Sequence, residues 1–128
     1  KKYKAFLTLS IRYPLLKSHV VDNAVKSLFF FNTDSVISVR SDNSLFFQIN
    51  EFGLKPILSQ EKFTKLERDD LYKYSGGLIV TRNKFFKLKK EFFGGKNGHV
   101  IIDERSALMI NSDISLSSIR HLLEAKNI

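Results

Sequence analysis

The feature that most constrains the fold is a strand, a helix and a second strand within the first 40 residues. Residues 3–10 have the composition of a buried strand. Ser18 can cap a helix whose apolar residues, from Val20 to Phe29, recur at helical spacing. Residues 35–40 then alternate as a strand. This order predicts an α/β fold in which two parallel strands are joined by a right-handed crossover.

The middle of the chain has a different pattern. Residues 45–49 and 54–58 flank a turn at residues 50–53, which predicts two short antiparallel segments. Pro56 fits only an edge strand, because proline cannot donate a backbone hydrogen bond. The polar residues 59–70 show no periodicity and are expected to form an arm or a subunit contact.

Regular structure returns after this stretch. Residues 76–82 indicate a buried strand, and Asn83 can cap a short helix over residues 83–90. A tight turn is expected at residues 92–95, followed by a short strand at 99–102.

The C-terminal residues 115–125 predict an amphipathic helix that closes the sheet. Its apolar side chains fall on one stripe, formed by Leu116, Ile119, Leu122 and Leu123. The whole pattern predicts a mainly parallel sheet with helices, interrupted by a small antiparallel insertion.

Composition limits the class of protein. The 128 residues are 43% hydrophobic and 27% charged, which is typical of one globular domain. The absence of cysteine excludes disulfides, thiolate nucleophiles and cysteine metal sites, and the simplest expected compartment is the cytoplasm. The longest apolar run, residues 28–31, is far shorter than a membrane-spanning helix requires.

The net charge of +8 raises nucleic acid as a partner, because lysine and arginine release phosphate counterions. The basic residues are mostly scattered, however, and a solvated helix face explains the main group better. That group consists of Lys84, Lys87, Lys89 and Lys90. A non-catalytic basic binding or scaffolding module stays open as one hypothesis, with no nucleic-acid partner expected.

Several segments, in order, resemble the acylneuraminate cytidylyltransferase family, which includes the CMP-sialic acid and CMP-Kdo synthetases. The most specific are Tyr-Lys-Tyr-Ser-Gly-Gly-Leu-Ile-Val-Thr-Arg at residues 72–82 and Phe-Phe-Gly-Gly-Lys-Asn-Gly at residues 92–98. Residues 14–25, 34–39 and 47–57 extend the similarity over nearly the whole chain.

This resemblance implies a Rossmann-like nucleotide-diphospho-sugar transferase fold, of which residues 1–128 are the C-terminal part. It implies a homodimer in which residues 45–72 are the dimerisation insertion. It also implies that an N-terminal nucleotide-binding part is missing from the sequence.

The family transfers CMP from CTP to a sialic-acid-type nonulosonic acid, with Mg²⁺ neutralising the charge on the phosphates. By resemblance, Arg68 would reach the sugar carboxylate of a neighbouring subunit, while Tyr72, Phe92 and Phe93 would line the pocket for the acyl group. These roles suit the bidentate guanidinium and the rigid aromatic rings. The alternative is that Phe92 and Phe93 are core residues beside a turn and that Arg68 is solvated.

Four positions depart from the family pattern. Ser10 and Leu16 stand where a glutamine and an arginine would contact the sugar, and Met109 and Asn111 stand in the acidic stretch that supplies a carboxylate to Mg²⁺. Mg²⁺ prefers charged oxygen ligands, so its binding here is doubtful. Asp113 is a weak metal candidate, although a carboxylate at the start of a helix has a structural role in any case.

The three histidines lack the spacing of a metal site, so no catalytic residue is assigned. The sequence therefore favours a cytidylyltransferase-family protein that is impaired or inactive in this form. An active enzyme completed by an N-terminal half is the alternative.

Overall fold

The computed structural model describes residues 3–57 and 70–125 and consists of two compact units. The second unit is Ser41–Lys73, and the first contains the residues on either side of it. The elements, in chain order, are β1 (Ala5–Leu9), α1 (Ser18–Phe30), β2 (Ser35–Ser41), β3 (Phe47–Asn50), β4 (Gly53–Pro56), β5 (Tyr72–Arg82), α2 (Asn83–Lys89), β6 (Asn97–Ile101) and α3 (Asp113–Ala125).

A four-stranded sheet in the order β1-β5-β2-β6 forms the first unit. Strand β1 is antiparallel to β5, and β2 is parallel to β6. Strand β5 also runs against β2, because Arg82 N–H donates to Asp34 O (2.9 Å) while Leu78 N–H donates to Ser38 Oγ (3.2 Å). The predicted α/β fold is confirmed, with β1, β2 and β6 running in one direction. The two strands of the first strand-helix-strand unit are separated by β5.

Helix α1 forms because its apolar residues make one continuous face that the sheet can cover. Val20, Ala24 and Leu28 are buried on this face and belong to one cluster with residues of the sheet. The sheet contributes Val36 from β2 and Leu78 and Val80 from β5, together with Ile102 beyond β6. This cluster is the core of the first unit.

The end of α1 is fixed by Arg82 at the end of β5. Asn32 has a left-handed φ of 52°, and Thr33 N–H closes the helix end by donating to Leu28 O (3.1 Å). Arg82 donates to Thr33 O (3.0 Å) and to Leu28 O (3.2 Å). Its guanidinium also lies 5.0 Å from the centre of the Phe29 ring. Arg82 thus adds side-chain hydrogen bonds to the backbone bond that closes the helix end.

Both predicted helix caps were wrong. Ser18 is the first helical residue of α1, Lys17 occupies the cap position, and no side chain caps the helix. Asn83 is the first residue of α2, and its side-chain amide donates to Tyr3 O instead. Helix α2 ends one residue early, because Lys90 adopts a left-handed φ of 58°.

The first strand is less buried than its composition predicts. Leu7 and Leu9 are 40% and 51% exposed, since β1 lies at the edge of the sheet and not in its centre. Within the described residues, no helix is both long and apolar enough to span a bilayer.

The second unit contains the predicted hairpin. Strands β3 and β4 pair antiparallel, with Phe47 opposite Pro56 and Asn50 opposite Gly53. The turn is closed by Phe52 N–H, which donates to Asn50 Oδ1 (2.9 Å). Its apolar side chains project into solvent, and Ile49 is 83% exposed.

Replacing Leu28 by alanine tests the core. We expect Leu28→Ala to lower the free energy of unfolding by about 2–5 kcal/mol, because a fully buried side chain leaves a cavity behind. Leu88→Ala is the control, since Leu88 is 77% exposed and its loss should change stability by less than about 0.5 kcal/mol. Urea unfolding followed by circular dichroism measures both, and equal effects would contradict this description of the core.

Candidate functional site

The candidate site lies at the edge of the sheet where β1, β2 and β6 end. Ligands of open α/β sheets bind beyond the carboxyl ends of the parallel strands. The connection from β1 to α1 and the segment after β6 are both located at this edge. We call it the carboxyl edge.

Backbone hydrogen bonds fix the loop that follows β1. Ser10 N–H donates to Gly77 O (2.9 Å), which extends the β1–β5 ladder by one residue. Tyr13 N–H donates back to Ser10 O (3.3 Å), and Arg12 N–H donates to Ser10 Oγ (3.3 Å). Ile110 N–H donates to Arg12 O (2.8 Å) and so joins this loop to the segment before α3. The loop is therefore held from both sides.

Gly77 lets the loop lie directly against β5. Its φ is +66°, and an added Cβ would come within 2.6 Å of Ser10 Cβ and 2.7 Å of Tyr13 Cδ1. Gly76 has a similar role beside it, since its added Cβ would lie 2.6 Å from Ile102 Cδ1. The close approach requires glycine at both positions.

Two tyrosines, Tyr13 and Tyr74, lie at the same edge. The pKa of Tyr74 is raised above its ordinary value, first because burial disfavours the phenolate and second because of Tyr13. The Tyr74 phenol is therefore neutral at physiological pH. A neutral phenol can donate one hydrogen bond and accept others.

A cleft of about 820 Å³ opens beside the start of α1, within the size range of small-molecule sites. It is formed by the end of the β1–α1 loop, the segment after β6 and the last turn of α3. The lining residues are Pro14, Leu15, Leu16, Lys17, Ser18, His19, Arg105, Leu123 and Ala125.

The charged lining of this cleft is basic. Lys17 and Arg105 contribute cations, and the first turn of α1 has neither a capping side chain nor an acidic residue. The exposed N–H groups of a helix start favour an anion. Arg105 donates to Leu122 O (3.3 Å) at the end of α3, which anchors its guanidinium in the wall. A carboxylate fits this combination of groups.

Asp103 is an acidic residue close to the cleft. Its pKa is lowered, chiefly by the nearby polar groups of Ser106 and to a smaller extent by the charge of Lys17. It is ionised at neutral pH and offsets part of the positive charge of Lys17.

Phe92 and Phe93 lie at the opposite edge of the sheet. Thr81, near the end of β5, donates its hydroxyl to Phe92 O. Thr81 is six residue steps along β5 from Ser75 at the carboxyl edge, a span of roughly 20 Å. The two phenylalanines are 49% and 52% exposed, so neither is a core residue. The Phe92 ring packs on Phe6 (6.1 Å between centres) and Phe86 (5.5 Å).

The other two predicted sugar-binding residues are Arg68 and Tyr72. Arg68 lies outside the described residues. Tyr72 belongs to the second unit, where its side chain is about half exposed. Their predicted roles stay predictions.

The positions that depart from the family pattern fall at the carboxyl edge. Leu16 lines the cleft and also packs against the core, while Ser10 begins the fixed loop. Asn111 N–H donates to Ser115 Oγ (2.9 Å) just before α3, and Asp113 is the first residue of that helix.

The predicted metal candidate, Asp113, lies at the start of α3. Within residues 3–57 and 70–125, no three histidine or acidic side chains group closely enough to hold a metal ion. Asp113 is located where its carboxylate favours the helix dipole.

Sequence reasoning missed Lys17, Arg105, Tyr13 and Tyr74. Lys17 and Arg105 are distant in sequence and are brought together only by the packing of the β1–α1 loop near the end of α3. Tyr13 and Tyr74 are likewise distant in sequence, and they come near each other because β5 pairs antiparallel with β1. One local signal existed, the adjacent glycines at residues 76 and 77 within a strand, because such glycines often mark a close approach of backbone.

The fold is similar to that of a solved enzyme. A crystal structure of 4-diphosphocytidyl-2C-methyl-D-erythritol synthase from Anaerococcus prevotii DSM 20548 superimposes with a TM-score of 0.64 and 11% sequence identity. The match covers 94% of this chain and 59% of the other chain, so this chain spans about three-fifths of that structure. Comparisons with protein-family models and with curated proteins find no match. The chain has a cytidylyltransferase-like fold.

Replacing Gly77 by alanine tests the close approach at the carboxyl edge. We expect Gly77→Ala to reduce the free energy of unfolding by about 2–4 kcal/mol, because it combines a left-handed backbone with a steric overlap. Gly53→Ala is the control: its φ is +113° but its added Cβ meets nothing within 4 Å, so only backbone strain of about 1–2 kcal/mol is expected. If thermal unfolding shows no greater loss for Gly77→Ala, the tight contact with Ser10 and Tyr13 does not exist.

Proposed function

We propose that this chain is the acceptor-binding part of a cytidylyltransferase-type protein and that its cleft binds the carboxylate of a sialic-acid-type nonulosonic acid. We further propose that residues 1–128 do not catalyse CMP transfer by themselves. The observation that carries the proposal is the cleft at the carboxyl edge, where Lys17, Arg105 and the uncapped start of α1 converge.

The basic cleft compensates for a missing side chain. Leu16 stands where the resembled family has an arginine that contacts the sugar. Lys17 follows it directly in sequence and Arg105 lines the same cleft, so two cations are near the position where one is lost. An ionised carboxylate would gain charge-assisted hydrogen bonds from either residue.

Two observations support the lack of independent catalysis. Met109 and Asn111 stand in the stretch from which the resembled family supplies a carboxylate to Mg²⁺. The Gly-rich basic motif that holds CTP in the resembled family has no counterpart in residues 1–128. The alternative hypothesis is an active enzyme completed by a further segment. It predicts the same sugar binding, but it also predicts that the completed protein transfers CMP.

Charge removal at the cleft tests the proposal. Isothermal titration of the 128-residue chain with N-acetylneuraminic acid is expected to show binding that Lys17→Gln weakens several-fold, since one charge-assisted contact is lost. Lys26→Gln is the matched control, because Lys26 is an exposed lysine of α1 that does not line the cleft. The methyl ester of the sugar, which has no charge, is expected to bind more weakly to the unmodified chain.

Two results would contradict the proposal. If the acid and its ester bind equally, or if the two lysine variants behave alike, the cleft does not recognise a carboxylate. If the chain alone releases pyrophosphate continuously from CTP, Mg²⁺ and the sugar, the claim that it lacks independent catalysis is wrong.

The predicted homodimer through residues 45–72 gains support from the hairpin of the second unit. Its two strands expose Ile49 and Leu54, and a two-stranded hairpin with apolar side chains in water is marginal by itself. We expect Ile49→Lys to shift the chain from dimer to monomer in analytical ultracentrifugation, while Gln48→Lys on the same strand leaves the dimer in place. A monomeric unmodified chain, or a dimer insensitive to Ile49→Lys, would count against this interface.

A further inference from the structure

Helix α2 and the loop that follows it carry a cluster of positive charge. Residues 83–96 contain five lysines and one acidic residue, Glu91. All five lysines are exposed to solvent. Phe85 is buried beneath the segment, and the loop lies directly on its ring, since a Cβ added at Gly95 would come 2.9 Å from Phe85 Cε1. The charge cluster therefore has a fixed support.

Four exposed phenylalanine rings lie at the same edge of the sheet as this cluster. Helix α2 follows the end of β5, and α1 ends just before β2 begins. Because β5 and β2 are antiparallel neighbours, both helix ends lie at one edge, opposite the carboxyl edge. Phe92 and Phe93 follow α2 and are 49% and 52% exposed, while Phe30 and Phe31 at the end of α1 are 81% and 59% exposed.

Lys96 connects the two pairs of rings. It follows the second pair in sequence by three residues, and its ammonium group donates to Phe31 O (3.3 Å) at the end of α1. An exposed apolar patch with a polar rim typically marks a binding site. The four rings and the five lysines of residues 83–96 form one surface, which we call the lysine–phenylalanine surface.

Neighbouring side chains hold the rings in place. The Phe92 ring packs on the Phe86 ring with 5.5 Å between their centres, and Lys90 Nζ lies 5.8 Å from the centre of the Phe86 ring. Phe30 and Phe31 contact each other edge to face, with 4.8 Å between their centres. Aromatic side chains have few rotatable bonds, so an exposed ring held in this way can accept a stacked partner at a small cost in conformational entropy.

A ligand for this surface needs negative charge and flat aromatic groups together. Lysine side chains bind phosphate groups and release their counterions. Exposed aromatic rings bind unpaired bases by stacking, whatever the base sequence, because every base has a π-face. The bases of a duplex are stacked on each other and leave no free face, so a single strand fits better.

We propose that the lysine–phenylalanine surface binds single-stranded nucleic acid, with phosphates on the lysines and bases stacked on the phenylalanine rings. The sequence pattern alone does not predict this ligand, because lysines on a helix face are commonly solvated. The rings that the fold brings beside the lysines are the observation that carries the proposal.

An anionic bilayer is the competing partner, since it also attracts lysine and accepts apolar side chains. The exposed apolar residues of the surface are the four phenylalanines, with Leu88 of α2 beside them as the one aliphatic side chain. A bilayer accepts aliphatic side chains as readily as rings, whereas stacking requires rings. The composition of the surface therefore favours nucleic acid.

This inference does not rest on the sugar proposed for the cleft. The cleft and the lysine–phenylalanine surface lie at opposite edges of the sheet and use different lysines. Sugar binding can fail while nucleic-acid binding is found, and the reverse also holds.

Fluorescence anisotropy with a labelled oligothymidylate and the 128-residue chain tests the proposal. The matched probe is an abasic strand of the same length, which has the same phosphates and no bases. We expect the oligothymidylate to bind about tenfold more tightly than the abasic strand, because stacking adds to the phosphate contacts. Equal binding of the two probes, or binding of neither, would overturn the proposal.

A lysine variant tests the phosphate contacts. Lys87→Gln is expected to weaken oligothymidylate binding several-fold and to make the affinity less steeply dependent on salt, because one phosphate contact is lost. Lys17→Gln is the control, since it removes an exposed lysine at the carboxyl edge. It should weaken sugar binding and leave oligothymidylate binding unchanged. Equal losses of oligothymidylate binding in both variants would mean that the chain binds through its overall charge, and the proposal would be wrong.

Ring variants distinguish stacking from insertion into a bilayer. Phe93→Leu and Phe31→Leu keep an apolar side chain but remove the ring, and both positions are more than half exposed, so the variants should fold. We expect each variant to bind oligothymidylate several-fold more weakly and the abasic strand unchanged. Unchanged oligothymidylate binding in both variants would contradict stacking. If the unmodified chain sediments with phosphatidylserine vesicles and does not bind oligothymidylate, the partner is a membrane and the proposal fails.

Discussion

The insertion of β5 between β1 and β2, antiparallel to both, is the constraint on which the rest of the first unit depends. Its first part brings Gly76 and Gly77 against the neighbouring segments, where no side chain fits. Its middle part contributes Leu78 and Val80 to the core under α1. Its last residue, Arg82, satisfies the carbonyl groups at the end of that helix. A single strand thus fixes the site loop, the core and the helix end.

Much of this fold is predictable from sequence because local patterns determine it. The apolar stripe from Val20 to Leu28 predicts α1, and the turn at residues 50–53 predicts the hairpin. Each pattern lies within the element that it forms. The helix caps and the exposure of β1 were not predictable in this way. Whether Asn83 caps a helix or bonds to Tyr3 depends on where β1 lies, and the burial of Leu7 depends on which strands flank it.

The candidate site was predicted only in part, for the same physical reason. The resemblance drew attention to Ser10 and Leu16 as departures from the family pattern, and both lie in the loop that leads to the cleft. The cations of the cleft come from Lys17 and Arg105, and no spacing rule connects a loop before α1 with a segment after β6. The positive charge of the cleft therefore comes from two parts of the chain that are distant in sequence.

A crystal structure of the chain with bound N-acetylneuraminic acid tests the central claim most directly. The account predicts a sugar in the cleft at the carboxyl edge, with its carboxylate within hydrogen-bonding distance, about 2.7–3.2 Å, of Lys17 Nζ or the Arg105 guanidinium. A sugar bound instead against Phe92 and Phe93 at the opposite edge, with the cleft empty, would contradict it.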